Sequence, residues 1–200
     1  LATSFNMLRS NDLIWSYVVN NYLKGQTPPP FDILYWNGDS TNLPAEMYTF
    51  YINNMYLENK LVEKDALTIC GSPIDLGRIK TPCYFLSTIE DHIAPWKGTF
   101  TGAENFSNVE FVLGASGHVA GVINPASKNR RNYWIKGELG KGSDHWLETA
   151  ERVEGSWWPN WSEWQKKRGG KKVAAPTDYG NADNKAIEAA PGRYVSVRIE

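Results

Sequence analysis

The sequence predicts an α/β protein in which a helical first segment precedes a parallel β-sheet flanked by helices. Two short runs, at residues 83–87 and 109–113, are predicted to be strands, and the first is apolar enough to be buried on both faces. About 20 residues separate them, and residues 95 to about 105 of that connection can form a helix. A strand, a connection that contains a helix and a second strand describe a βαβ unit, in which the two strands are parallel. Residues 1 to about 62 show little strand character, which favours a helical cap on an α/β core.

The helical first segment is predicted from apolar spacing and from residues that start or stop helices. Ser10 offers N-cap chemistry, and apolar residues then recur at helical spacing until Gly25 stops the run. Pro44 can start a second helix, because proline is favoured at the first helical position. The apolar positions of this second helix continue to about Leu61.

The remainder of the chain is predicted to form more helices and then a tail. Helices are expected from Ser143 through about 153, and from Pro159 to about 169. From residue 173 onward Ala, Pro, Gly and Asn dominate, which predicts an extended tail, ordered by Tyr179, Ile187 and Tyr194. The predicted organisation is therefore a cap or lid at 1–62, the C-terminal half of an α/β core at 63–172 and a C-terminal tail at 173–200.

Composition and charge exclude several classes of protein. The formal net charge is −1, from 21 basic and 22 acidic side chains, so no overall field would gather nucleic acid. The two cysteines make neither a disulfide framework nor a zinc pattern. Without a signal peptide or an apolar run near 18 residues, a soluble cytoplasmic protein is expected. Nine tryptophans indicate a packed aromatic core, an interface or a surface that handles an apolar substance.

Asp91 and His118 are the candidate catalytic residues. Asp91 follows the first predicted strand, and His118 follows the second. Because the carboxyl ends of parallel strands share one edge of the sheet, these two residues can become neighbours in space. The order of an acid, a helix and then a histidine matches the second half of an α/β-hydrolase triad. The alternative, that both are ordinary loop residues, stays open at this point.

The chemistry explains why these residue types would be needed. A neutral imidazole can take the proton from a thiol or hydroxyl and later return it to a leaving group. A carboxylate behind the imidazole would fix its tautomer and stabilise the imidazolium. Gly117, directly before His118, is expected to permit tight packing or a positive φ beside the ring.

A nucleophile for such a triad is missing from the sequence. The strand-to-helix elbow needs Gly-x-Ser-x-Gly or its cysteine version, and neither occurs. Cys70 and Cys83 are both expected to be core residues rather than nucleophiles. Ser116 lies too close to His118 in the loop to act as a conventional nucleophile. The chain alone is therefore expected not to complete an acyl-transfer cycle.

Several long motifs, in order along nearly the whole chain, resemble the C-terminal part of the catalytic domain of class I polyhydroxyalkanoate (poly-3-hydroxybutyrate) synthases. The motifs are Asn11-Asp12-Leu13-Ile14-Trp15, Asn21-Tyr22-Leu23-Lys24-Gly25, Tyr35-Trp36-Asn37-Gly38-Asp39-Ser40-Thr41-Asn42-Leu43-Pro44, Glu90-Asp91-His92-Ile93-Ala94-Pro95-Trp96, Gly114-Ala115-Ser116-Gly117-His118-Val119-Ala120-Gly121-Val122-Ile123-Asn124-Pro125, Gly155-Ser156-Trp157-Trp158-Pro159 and Ala190-Pro191-Gly192-Arg193-Tyr194-Val195.

The resemblance implies an α/β-hydrolase fold with a mobile helical cap and an acyltransferase activity. Such an enzyme polymerises (R)-3-hydroxyacyl-coenzyme A into polyester, carries the growing chain on a cysteine and releases coenzyme A. By motif match His118 is the general base, and Asp91 either activates the 3-hydroxyl group or supports His118. The nucleophilic cysteine is expected upstream, in the N-terminal part of the same enzyme.

The resemblance also implies the cofactors, partners and location of the enzyme. No cofactor or metal is expected, because coenzyme A is part of the substrate and a product. The expected partners are the acyl-coenzyme A substrate, the growing polyester granule and a second copy in a homodimer. The expected location is the cytoplasm, at the granule surface. As a further hypothesis, Lys128, Arg130 and Arg131 would meet coenzyme A phosphates.

Two other functions stay open on the sequence alone. One is a generic α/β-hydrolase esterase half-domain, supported by the topology. The other is a non-catalytic module for dimerisation or granule contact, suggested by the missing nucleophile and by the aromatic residues of the cap. Those aromatic residues would gate an apolar product path, form a dimer contact or simply pack in the core of the cap; they are Trp15, Tyr17, Tyr22, Tyr35, Trp36 and Tyr48.

Overall fold

The computed structural model describes residues 7, 8, 10–28, 42–177 and 179–197. The chain divides into two compact units, one from the ranges 1–43 and 179–200 and the other from Pro44–Asp178. This division rests on contacts within the fold, so the predicted functional division into cap, core and tail stays a prediction.

The first unit contains short helical segments. Asn11–Trp15 and Val18–Leu23 are π-helical turns, and Gly25 follows with a φ of +66°. The predicted helix and its stop at Gly25 are therefore confirmed, although Ser10 makes no side-chain capping bond. Near the C-terminus, Tyr194–Ser196 forms a 3₁₀ turn. The side chains of Tyr179, Ile187 and Tyr194 are exposed, and the extended tail ordered by these residues stays a prediction.

The second unit begins with the helix predicted at Pro44. Helix α1 spans Ala45–Tyr51 and continues as a π-helical segment, Ile52–Leu57. A two-stranded antiparallel hairpin follows, with β1 at Thr68–Ile69 and β2 at Ser72–Pro73.

The βαβ unit predicted from the apolar runs is confirmed. Strand β3 (Cys83–Thr88) leads into helix α2 (Trp96–Ala103) and then into β4 (Val109–Gly114). The two strands are parallel and pair from Cys83 opposite Val109 to Thr88 opposite Gly114. Their carboxyl ends therefore lie side by side, which is the arrangement that places the next loops together.

Beyond β4 the sheet departs from the sequence prediction. Strand β5 (Asn132–Ile135) pairs antiparallel with β4, and β6 (Glu151–Glu154) pairs antiparallel with β5. Helix α3 is Ser143–Thr149, so the helix predicted through residue 153 ends early. Ala150 turns the chain into extended conformation, because pairing with β5 satisfies the backbone of the next four residues. In the described residues the main sheet is thus mixed, and only its β3–β4 pair is parallel.

The core lies on both faces of this sheet. On one face α2 and α3 bury Phe100 and Trp146 against Phe111 of β4. On the other face Trp157 packs with Val112 and with β5, just before helix α4 (Trp158–Lys166). These elements give the protein the architecture of the α/β class. In the described ranges, no helix is both long and apolar enough to cross a lipid bilayer.

The aromatic residues of the first segment that the structure describes do not form a buried core. Trp15, Tyr17, Tyr22 and Tyr48 are all exposed, with Tyr22 at 84%. Core packing, one of the explanations given for them above, is therefore wrong for these four residues. Tyr35 and Trp36 lie outside the described residues.

Candidate active site

The loops that follow β3 and β4 are joined by backbone hydrogen bonds. The N–H of Ile89 donates to the carbonyl of Gly114 at 2.9 Å, and the N–H of Glu90 donates to that of Ser116 at 3.1 Å. These bonds continue the parallel pairing past the ends of the strands. They bring Asp91 and His118 together, as the topology predicts for neighbouring parallel strands.

The carboxylate of Asp91 is held through both of its oxygens. Oδ1 accepts hydrogen bonds from the backbone N–H groups of Ile93 and Ala94, both at 2.9 Å. Oδ2 lies 2.8 Å from Nδ1 of His118. Burial to 8% exposure would raise the pKa of Asp91, but the bonds from Ala94, His118 and Ile93 outweigh it and lower that pKa below its usual value. Asp91 is therefore a carboxylate at neutral pH.

The orientation of the imidazole follows from this carboxylate. Because an ionised carboxylate only accepts hydrogen bonds, Nδ1 of His118 carries the proton in the contact with Oδ2. In the neutral ring Nε2 is then the nitrogen with a lone pair, which is the form that can take a proton from another group. The His118 side chain is 46% exposed, so it is accessible from outside the chain.

A second histidine–carboxylate pair provides a contrast. Nε2 of His145 lies 2.9 Å from Oε2 of Glu138, and Lys141 contacts the same oxygen at 2.8 Å. The Glu138 side chain is 57% exposed, against 8% for Asp91. The hydrogen bond from His145 and then that from Lys141 lower the pKa of Glu138. This pair is a solvated surface contact, whereas Asp91 is fixed by its own loop and by His118.

The glycine that is needed for close packing near His118 is not the one that the sequence predicted. A Cβ on Gly117 would meet only the Glu90 carbonyl at 3.7 Å, an ordinary contact, and the positive φ in this turn belongs to Ser116 at +75°. The close approach occurs at Gly121 instead. A Cβ there would overlap Cγ2 of Thr88 and lie 2.7 Å from the Ala115 carbonyl oxygen. The expectation for Gly117 is therefore wrong, and Gly121 is the position that requires glycine.

The two cysteines are not core residues, contrary to the sequence prediction. Cys70 is exposed in the β1–β2 turn, where it and Gly71 have φ values of +50° and +77°. Two consecutive positive φ angles are typical of a tight two-residue hairpin turn, which projects its side chains outward. Cys83 is half-buried, and its thiol donates to the carbonyl of Thr81 at 3.2 Å.

Three consecutive side chains bind the loop that follows His118. Trp157 donates its indole N–H to the carbonyl of Gly121 at 3.2 Å, and Trp158 donates its own to that of Val122 at 3.0 Å. The hydroxyl of Ser156 donates to the carbonyl of Asn124. In the sequence these residues stand out only as part of a family motif. Adjacent tryptophans after a Gly-Ser pair were the available signal, since a buried indole N–H usually finds a partner.

The basic residues of this loop are exposed. Lys128 lies in a 3₁₀ turn, Ala126–Lys128, and Arg131 has a φ of +70°. Within the part of the chain that the structure describes, neither these two nor Arg130 forms an ion pair. Their binding to coenzyme A phosphates stays a prediction.

Comparison with known proteins finds poly(3-hydroxyalkanoate) polymerases among the relatives of this chain. No protein-family model matches it. The chain is 51% identical over 199 residues to the poly(3-hydroxyalkanoate) polymerase subunit PhaC of Cupriavidus necator, and 47% identical over 199 residues to that of Rhizobium meliloti. It is 42% identical over 199 residues to poly(3-hydroxyalkanoate) polymerase 1 of Ectopseudomonas oleovorans.

Each match covers 99% of this chain and 34%, 32% and 35% of the respective relative. The chain thus spans about one third of the length of the curated relatives it matches. The resemblance found in the sequence is confirmed, since over 99% of its length this chain is similar to poly(3-hydroxyalkanoate) polymerases.

Proposed function

We propose that this chain is the part of a polyhydroxyalkanoate synthase that supplies the general base His118 and its partner Asp91. The whole enzyme is an acyltransferase that joins (R)-3-hydroxyacyl units from coenzyme A thioesters into a polyester. The observation that carries the proposal is the 2.8 Å contact between Nδ1 of His118 and Oδ2 of Asp91. It occurs within a match that extends over 99% of the chain.

The first step of the proposed reaction loads an acyl unit onto a cysteine outside this chain. Nε2 of His118 takes the proton of that thiol, and the thiolate attacks the thioester carbonyl. The carbon–sulfur bond to coenzyme A breaks, and its sulfur leaves with the electron pair. The imidazolium of His118 returns the proton to this sulfur, so that coenzyme A leaves as a thiol.

Chain growth requires a base for the 3-hydroxyl group of the incoming or the bound unit. Of the two roles predicted for Asp91, the contacts favour support of His118. Oδ1 already accepts two backbone N–H groups, and Oδ2 faces Nδ1 of His118. A carboxylate with 8% exposure and both oxygens bound offers little access to a substrate hydroxyl. His118 is therefore the base in both half-reactions, and Asp91 orients it.

The α/β-hydrolase fold is proposed for the whole enzyme. Within the described residues β3 pairs only with β4, so its other edge carries no neighbouring strand. An apolar strand with one unpaired edge is suited to further pairing. Parallel strands from the remaining two thirds of the enzyme would add at this edge, which would give the mainly parallel sheet expected for the fold. The same addition would place a nucleophile elbow beside His118.

The partners and location of the enzyme follow from the same proposal. No cofactor is needed, since the acyl thioester is already activated. The enzyme works in the cytoplasm at the surface of polyester granules, and it forms a homodimer. Exposed apolar side chains of the helical segments support such contacts: Trp15 is 57% exposed and Leu57 is 74% exposed.

The proposal is tested by His118→Ala in an intact polymerase that carries this segment. Release of coenzyme A from 3-hydroxybutyryl-coenzyme A should fall by about 10³-fold or more, because the base is lost. His145→Ala is the matched control, since it removes a second histidine that contacts a carboxylate, and it should leave the rate unchanged. A His118→Ala enzyme with near-normal turnover contradicts the proposed base.

The two alternative functions predict different outcomes of these assays. A generic esterase would release free hydroxy acid without polymer. A non-catalytic module for dimerisation or granule contact, which the same exposed apolar side chains would suit, would leave turnover insensitive to His118→Ala. Thioester formation on Cys70 or Cys83 in the isolated chain would contradict the placement of the nucleophile outside it.

A further inference from the structure

We propose that Trp157 and Trp158 are positioning residues whose indole N–H groups hold the His118 loop in its working conformation. The inference rests on the proposed function of His118. It assigns a role to two residues that lie in the sequence far from the catalytic pair.

The loop between β4 and β5 has little regular structure of its own. Residues 115–131 contain one 3₁₀ turn, Ala126–Lys128, and it lies after the part that carries His118. Around His118 the backbone makes local bonds, from the N–H of Gly121 to the carbonyl of Gly117 at 2.8 Å and from Ile123 to Val119 at 2.9 Å. Such turns fix the local shape but do not tie the loop to the sheet.

The segment 155–158 makes this connection between the loop and the sheet. Ser156, Trp157 and Trp158 bind the carbonyls of residues 124, 121 and 122, so three successive donors reach one short stretch of backbone. Trp157 also packs with Val112 of β4 and Ile135 of β5. The N–H of Gly155 donates to the carbonyl of Arg131 at 2.6 Å, directly before β5. Residues 155–158 therefore contact both the sheet and the loop.

Gly121 connects the hydrogen bond of Trp157 to the backbone next to His118. Its carbonyl accepts from Trp157, and its N–H donates to the carbonyl of Gly117, the residue before His118. Gly121 is buried and has no room for a Cβ, so it cannot shift without moving Thr88 at the end of β3. The two tryptophans thus act on His118 through one well-packed residue.

The hydrogen bonds, rather than the bulk of the rings, carry the inference. A tryptophan that only fills a core needs apolar contacts for its ring. Its indole N–H can then donate to any acceptor within reach, and no particular carbonyl is required. Here two adjacent indoles direct their N–H groups to two adjacent carbonyls of the same loop. Removal of a donor leaves a carbonyl of this loop without its partner, and the loop can then relax.

The test uses Trp157→Phe and Trp158→Phe, which keep an aromatic ring and remove the donor. The matched control is Trp161→Phe, because Trp161 lies on α4 with its ring centroid 6.0 Å from that of Trp157. In the described residues Trp161 makes no bond to the His118 loop. Where a phenylalanine variant fails to fold, replacing the indole of Trp158 by benzothiophene removes the N–H and keeps the shape.

The first measurement is the Nδ1 proton of His118 by NMR in the 200-residue chain. In the Trp157 and Trp158 variants this proton should exchange with water at least about tenfold faster, because the contact with Asp91 opens more often. The control should match the wild type. Wild-type exchange in both variants would overturn the inference.

The second measurement is coenzyme A release by an intact polymerase carrying the same changes. kcat should fall about tenfold while KM stays within about twofold, as expected for a displaced base rather than weaker substrate binding. Suppose that the His118→Ala enzyme is inactive and that proton exchange is faster in both tryptophan variants. An unchanged kcat in these two variants would then overturn an effect of Trp157 and Trp158 on catalysis. Faster exchange with a fully active His118→Ala enzyme would refute the proposed function instead, so the two failures are distinguishable.

Discussion

Asp91 binds His118 with one carboxylate oxygen and its own loop with the other. Because Oδ1 is held by two backbone N–H groups, Oδ2 has a fixed position 2.8 Å from Nδ1 of His118. The carboxylate cannot rotate away without the loss of both loop bonds. The imidazole therefore meets a partner that is already oriented before any substrate arrives.

Asp91→Asn should separate this orienting role from packing. The amide keeps its oxygen for the N–H groups of residues 93 and 94 and turns its NH₂ group toward Nδ1. The ring must then carry its proton on Nε2, so it cannot act as the base. We expect coenzyme A release by an intact polymerase to fall by about 10²–10⁴-fold.

Glu138→Gln is the matched control, because it changes the carboxylate of the exposed histidine pair in the same way. It should not affect turnover. Equal rates for the Asp91 and Glu138 variants would refute the orienting role of Asp91.

The lowered pKa of Asp91 predicts a loss of stability in acid. Its folded pKa lies below the ordinary value of 3.8, so the unfolded chain takes up a proton at this residue at a higher pH than the folded chain. The stabilising contribution is therefore complete well above pH 4, and it is lost as pH falls through the folded pKa. Asp91→Asn lacks this contribution.

Urea denaturation of the 200-residue chain between pH 6 and pH 2.5 would measure this effect. The difference in free energy of unfolding between wild type and Asp91→Asn should shrink toward the acid end. A difference that stays constant over this range would contradict the linkage.

Gly121→Ala should destabilise the fold. The added Cβ would overlap Cγ2 of Thr88 and press against the carbonyl of Ala115. Forcing a methyl group into a filled site costs about 1–3 kcal/mol. Gly117→Ala is the control, since its Cβ would meet only the Glu90 carbonyl at 3.7 Å. Thermal unfolding of both variants measures the difference, and similar midpoints would argue against the close approach at Gly121.

Trp146→Ala should remove the centre of the core on the α2–α3 face. Trp146 is almost fully buried, and its ring lies 5.0 Å from that of Phe111. Truncation of such a side chain costs about 3–5 kcal/mol. Trp161→Ala, at an exposed position, should cost far less. Chemical denaturation gives both values, and comparable losses would show that the core is centred elsewhere.

The sequence predicted the parallel pair because β3 is apolar on both faces, β4 is mostly apolar, and a helix-length connection joins them. It missed β6, whose residues are mostly charged and favour helices in isolation. Of its four residues only Val153 is half-buried, so pairing with β5 rather than apolar pattern makes Glu151–Glu154 a strand.

At the candidate site, too, the sequence predicted some features and missed others. Topology alone placed Asp91 and His118 side by side, because both follow parallel strands. It could not predict the bonds from Trp157 and Trp158 to the His118 loop, since these join residues 36 positions apart through side-chain geometry. Nor could it place the positive φ at Ser116, whose carbonyl accepts a hydrogen bond from the N–H of Glu90 in the neighbouring loop.

The two edges of the main sheet have opposite characters. At β6 the charged residues Glu151, Arg152 and Glu154 line the outer strand, whereas β3 presents Cys83–Thr88 without a single charge. Charged edge strands resist the addition of another strand, and neutral apolar ones invite it. In the part of the chain that the structure describes, the sheet can therefore accept a further strand at the β3 edge, whereas the charges of β6 close the opposite edge.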